Sequence, residues 1–162
     1  MRIFIIFQLI SRLFRQAVPG SVASTNAEKV YESGVRMQRQ GRLDEAVQRY
    51  TEAINLDASL VQAYSNRGSA YLNLGQPEKA IPDLNEAIQL NPRLAVAWGT
   101  RGLAYTNLSK FGEALKDLNE AIRLNPNFAD AYSSRGFAHR AAGQLHRALS
   151  DFDQAVRIDG KF

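Results

Sequence analysis

The sequence predicts an all-α chain: a solenoid of helical hairpins preceded by one extra helix. Two observations carry that expectation. Blocks recur at a spacing of 34 residues: Tyr64, Arg67 and Gly68 return as Trp98, Arg101 and Gly102, then as Tyr132, Arg135 and Gly136. Ala80, Ala114 and Ala148 keep the same spacing, as do Asn91-Pro92 and Asn125-Pro126. Within each block the apolar residues fall three and four apart, the spacing of one helix face. Self-similarity at a period of about 20–50 residues marks a repeat architecture, in which each unit buries its apolar face only by stacking on its neighbours.

Extended backward, the frame takes in Gly34, Gly41, Ala46, Tyr50 and Ala53. It divides the chain into an apolar, basic N-terminal segment with a linker, residues 1–26, and four repeats, 27–60, 61–94, 95–128 and 129–162. Met1 to Ala17 does not repeat. Ile3 to Ile10 is strongly apolar, and Gln8, Ser11, Arg12 and Arg15 fall on one helical side. Several readings stay open: a helix lying on a membrane surface through residues 1–18, a secretory signal cleaved near Ser21 to Ala23, a helix packed against its own or another repeat array, or a start-site artefact. They leave the compartment open between cytoplasm, export and the membrane periphery. Pro19 to Asn26 reads as a linker.

Each repeat reads as two helices. In the second, the first helix is expected from about Leu60 to Leu74, with Tyr64, Gly68 and Tyr71 on one face. Gly75 follows where a left-handed cap belongs, and Pro77 suits the first turn of the next helix. That helix carries Ala80, Leu84, Ala87 and Ile88 on one face, with Pro82 inside it at the expected loss of one hydrogen bond. Asn91-Pro92 closes the unit, because a residue before proline avoids helical geometry. A helix of this length is marginal alone, so the small residues Gly68, Ala80 and Ala87 are expected to bring paired backbones close, with the aromatics filling the space between neighbours. In the last helix Leu149, Phe152 and Val156 form an apolar side that predicts contact with a partner or a second copy.

Composition narrows the function classes. Of 162 residues, 45% are hydrophobic and 22% charged, which fits a folded domain and not a disordered chain. There is no cysteine, so disulfides, thiolate metal sites and a cysteine nucleophile are excluded. Of the 20 Lys+Arg, three fall in residues 1–26 beside no acid, which leaves 17 cations against 16 acids in the rest. Those charges interleave, so nucleic acid is not an expected partner. The two histidines, His139 in a tyrosine position and His146 in the turn between helices, have no metal-ligand spacing, and no glycine-rich phosphate loop occurs. No cofactor, metal or catalytic residue is expected, and the chain is read as no enzyme.

One paired pattern stands out. Arg67, Arg101 and Arg135 each precede an aspartate by 16 residues: Asp83, Asp117 and Asp151. In the first repeat both partners change together, to Ser33 and Arg49. Three salt bridges joining the two helices of a repeat are predicted.

Aromatic, Gly, Tyr, Gly, Ala, large apolar, Ala and Pro at repeat positions 4, 8, 11, 15, 20, 24, 27 and 32 resemble the tetratricopeptide repeat; in the third repeat these are Trp98, Gly102, Tyr105, Ser109, Ala114, Leu118, Ala121 and Pro126. Departures are local: Ser109 for a glycine, His139 for a tyrosine, Ala58 and Gly160 for prolines. The resemblance implies a right-handed superhelix whose first helices line a concave groove that binds peptides or partner proteins. It places on that groove a polar set, Asn66, Ser69, Asn73, Thr100, Asn107 and Ser134, suited to an extended peptide backbone, and Leu103 and Phe137, suited to an apolar side chain. Some relatives clamp acidic C-terminal tails with Lys and Asn at positions 5 and 9; here those positions hold Tyr31 and Val35, Ser65 and Ser69, Gly99 and Leu103, Ser133 and Phe137, so no such capture is expected. The expected function is a non-catalytic scaffold for a peptide or protein partner. The alternative is an assembly module that forms homo-oligomers through its repeat ends and N-terminal helix.

Overall fold

The computed structural model describes residues 22–160, which form eight helices and no strand. In chain order these are α1 (Val22–Arg39), α2 (Leu43–Leu56), α3 (Val61–Asn73), α4 (Pro77–Leu90), α5 (Ala95–Asn107), α6 (Phe111–Leu124), α7 (Ala129–Ala141) and α8 (Leu145–Asp159). Helix α1 opens at Val22, so residues 22–26, read as linker from the sequence, are helical. The extra helix expected within residues 1–17 lies outside the described residues.

Two kinds of turn cut the chain into hairpins. Inside each hairpin the residue after the C-cap is left-handed: φ is +74° at Gly41, +70° at Gly75, 59° at Ser109 and +75° at Gly143. The Gly75 N–H donates to the Leu72 carbonyl and the Gln76 N–H to that of Tyr71, both at 2.9 Å, the Schellman pattern that closes a helix. Ser109 makes the same turn without glycine's conformational freedom. Between hairpins the closing residue is extended, with φ of -144° at Asp57, -140° at Asn91 and -137° at Asn125. Each of these side chains accepts the backbone N–H two residues on, from Ser59, Arg93 and Asn127. Asp57 does so before Ala58, so the side-chain acceptor suffices where the proline is missing. Helix α4 runs through Pro82 and keeps the 14 residues of α2 and α6.

Helices pack α1 on α2, α3 on α4, α5 on α6 and α7 on α8, and each second helix packs on the first helix of the next hairpin. First helices of adjacent hairpins also touch one another, whereas no two second helices do. That asymmetry bends the stack and puts α1, α3, α5 and α7 on its inner wall. The core is built of alanine at every helix crossing, with Tyr50, Leu84 and Leu118 as the largest fully buried side chains. Gly102 shows why the small residue matters: a Cβ there would lie 2.6 Å from Cγ of Leu118 and 3.3 Å from the Ala114 carbonyl oxygen.

The Arg–Asp pairs form as the pattern predicts. Arg67 meets Asp83 at 2.7 Å, Arg101 meets Asp117 at 2.6 Å and Arg135 meets Asp151 at 2.6 Å, each through two parallel hydrogen bonds. Each Nη1 also reaches into the preceding hairpin, to Thr51 Oγ1 at 2.8 Å, Asn85 Oδ1 at 2.7 Å and Asn119 Oδ1 at 2.7 Å. Aromatic faces lie beneath the guanidinium groups, with Arg101 4.9 Å from the Trp98 ring centre and Arg135 5.4 Å from that of Tyr132. The aspartates are buried, so removing one partner would leave a charge stranded at a cost of about 3–5 kcal/mol. Arginine and aspartate therefore change together, as they do at Ser33 and Arg49.

The first hairpin uses tyrosine instead. The Tyr50 hydroxyl donates to Gln38 Oε1 at 2.7 Å, the Tyr31 and Tyr50 rings sit 5.8 Å apart, and Asn66 Nδ2 donates to the Tyr31 hydroxyl at 3.0 Å. Burial, then the neighbouring Tyr31, pushes the Tyr50 phenol up to about 12.

Two predictions follow from the packing. Gly102→Ala lowers stability by about 1–3 kcal/mol in urea unfolding, whereas Gly112→Ala, with nothing within 4 Å of the added carbon, leaves it unchanged or raises it slightly. The folded state holds the Tyr50 proton more tightly than the unfolded chain, so that stabilisation is complete below the ordinary tyrosine pKa of about 10 and decays as pH rises toward 12. Tyr50→Phe should show a shallower loss of stability across that window in alkaline unfolding curves.

Candidate functional site

The inner wall carries a cleft of about 520 Å³ between α3, α5 and α7. Six of the eight residues expected to meet a ligand line it: Ser69 and Asn73 on α3, Thr100 and Leu103 on α5, Ser134 and Phe137 on α7. Their convergence follows from the repeat, since equivalent faces of parallel first helices stack side by side. Asn66 and Asn107 do not line the cleft. Asn66 turns its amide to Tyr31, and Asn107, the last residue of α5, is exposed.

The cleft also contains residues the sequence did not single out, among them Leu72, Val96, Gly99, Phe128, Asp130 and Ser133. All but Phe128 hold repeat positions 2, 5 or 12, which the family resemblance also puts on the first helices' inner face, so position within the repeat was the available signal. Phe128 is the residue before α7, and its ring lies where a side chain at 99 would go: a Cβ on Gly99 would be 2.9 Å from Phe128 Cε1. Gly99 thus lets an aromatic ring close the floor. Val96 and Phe137 remain 48% and 44% exposed and both line this cleft, so its apolar surface is left open to a ligand.

Electrostatically the cleft is nearly bare. Asp130, in the first turn of α7, is the one charged residue lining it. No lysine or arginine lines it, and the positions that would form a carboxylate clamp hold serine, glycine, leucine and phenylalanine. Arg140 does not line the cleft, but its guanidinium lies over the Phe137 ring, 4.9 Å from the ring centre. The hydroxyls and amide of Ser69, Asn73, Thr100 and Ser134 can donate to and accept from a peptide backbone, and Leu103, Val96 and Phe137 give it an apolar seat.

His139 packs inside the last hairpin, with Nδ1 2.8 Å from Gln144 Oε1 and Nε2 3.8 Å from Asp151 Oδ2. His146 lies in the first turn of α8, not in the turn before it, and is exposed. Among the described residues no group of three or more His, Asp or Glu side chains is placed to hold a metal ion, and no helix is long and apolar enough to cross a membrane. A second cavity, of about 470 Å³, opens on the outer side of α7 and α8 beside Tyr132, Leu149, Asp153 and Arg157. Asp153 holds the repeat position of Thr51, Asn85 and Asn119, which receive an arginine in the inner hairpins.

The tetratricopeptide repeat profile matches residues 61–94, and a related TPR repeat profile matches 39–75 and 102–143. None of the curated proteins matches. Solved structures with the same fold include MamA, 28% identical over 84% of this chain and 80% of that one, with a TM-score of 0.73. The first TPR of Spaghetti (RPAP3), bound to the HSP90 peptide SRMEEVD, is 32% identical over 74% of this chain and 95% of its own, with a TM-score of 0.71. The Arabidopsis OM64 TPR domain is 27% identical over 73% of this chain and 98% of its own, with a TM-score of 0.70. With its period, its hairpins and its stacked first helices, the chain belongs to the tetratricopeptide repeat family.

Proposed function

We propose that this protein is a non-catalytic interaction scaffold that seats an extended peptide segment of a partner protein in the cleft of its inner wall. The observation that carries the reading is the cleft itself: backbone-bonding side chains of α3, α5 and α7 surround apolar groups left uncovered at Val96 and Phe137. A relative 32% identical holds a peptide, which supports the same class of work here. The polar members Ser69, Asn73, Thr100 and Ser134 bond the ligand backbone, and Leu103 and Phe137 take a side chain. Nothing in this role needs a cofactor, a metal or nucleic acid.

Selection of peptides from a displayed random library tests it. The full chain enriches a sequence class, and Phe137→Asp with Val96→Asp weakens binding of the enriched peptides at least about tenfold while the helical circular dichroism is kept. No enrichment, or enriched peptides that bind the variant equally well, removes the reading.

A second reading rests on α8, where Leu145 and Leu149, one turn apart, are 65% and 61% exposed. Such a face suits self-association. Sedimentation velocity across a hundredfold range of concentration checks it: a rising mass is expected, and the mass of a single chain throughout ends it.

A further inference from the structure

We infer that the peptide taken by the cleft pairs an apolar side chain with a cationic one and presents no carboxylate there; this rests on the groove reading above and adds the chemistry of the ligand. The apolar half follows from the floor. Gly99 and Phe128 meet at an apolar floor, and Val96, Leu103 and Phe137 line the same cleft, Val96 and Phe137 largely exposed.

The cationic half follows from the charge. Asp130 is exposed, lines the cleft, and has no ion-pair partner among the described residues. No lysine or arginine lines the cleft to neutralise an incoming acid. Arg140 is ten residues further along α7, about 15 Å by helical rise, and its guanidinium lies over the Phe137 ring, 4.9 Å from the ring centre, so the uncompensated charge is local to the Asp130 end of the cleft. A cationic side chain beside Asp130 gains a partner, whereas a carboxylate there meets a like charge and loses water without compensation. The body of the chain does not supply this preference by net charge, because residues 27–162 hold 17 cations against 16 acids.

Two end-blocked, fluorescein-labelled heptapeptides of leucine and glycine test it with the full chain. They differ only in one residue beside the central leucine, arginine in one and glutamate in the other. Fluorescence anisotropy at about 0.15 M salt limits long-range attraction. The arginine peptide is expected to bind about tenfold more tightly, Asp130→Asn to erase the difference, and Phe137→Ala to weaken both. Equal binding of the two peptides, both weakened by Phe137→Ala, overturns the charge inference and leaves the groove reading standing. Absence of binding, or binding that ignores Phe137→Ala, overturns the groove reading and this inference with it.

Discussion

One guanidinium closes each of the last three hairpins and fastens it to the hairpin before. Arg101 holds the Asp117 carboxylate with two bonds, reaches Asn85 across the junction, and lies on the Trp98 ring. The fork geometry matters, because a lysine offers one point charge and could not meet both partners and the ring at once. Asp117 sits among packed helices, so the pair is tolerable only when complete. Alanine-rich crossings bring the backbones close, and the arginine then fixes which faces oppose. The placement of α3, α5 and α7 on one wall depends on that fixing.

A wall made this way is chemically selective through what it omits. Side chains at equivalent faces line up, so the character of the cleft is set by a few positions read across repeats. Serine, threonine and asparagine at these positions give backbone-bonding groups without charge. Glycine at position 99 is the exception in kind, since it lets Phe128 swing its ring against α5 and turns a polar trough into one with an apolar floor. The similarity to a domain holding SRMEEVD lies in the fold, and in this chain no lysine or arginine lines the cleft.

Much of this was legible in the residues alone. The period located the hairpins and the three arginine–aspartate pairs, because both partners recur and lapse together, and Gly75 marked its left-handed turn. The family resemblance, not the period, named the six residues that line the cleft. What escaped has physical causes. The arginine's second bond goes to Thr51, Asn85 and Asn119, which share an oxygen acceptor but not an identity, so the pattern hides until the junction is seen. Asn66 looked like a ligand contact because its position faces inward, yet Tyr31, a tyrosine the other repeats replace with serine or glycine, is there to take its amide. Phe128 belongs to the loop at a repeat boundary, where periodicity says least about direction. Residues 22–26 extend a helix through a stretch of small and polar residues that composition alone assigns to a linker.

The junction bond has a further consequence for how such a protein can change size. Each of the three junctions uses an arginine on one hairpin and an oxygen acceptor on the hairpin before it, so this contact does not encode a place in the stack. A unit duplicated or excised whole keeps an arginine and an oxygen acceptor facing each other at its new boundary. The reach of the binding wall is therefore quantised, growing by one hairpin at a time, while the chemistry displayed on each step stays free to vary.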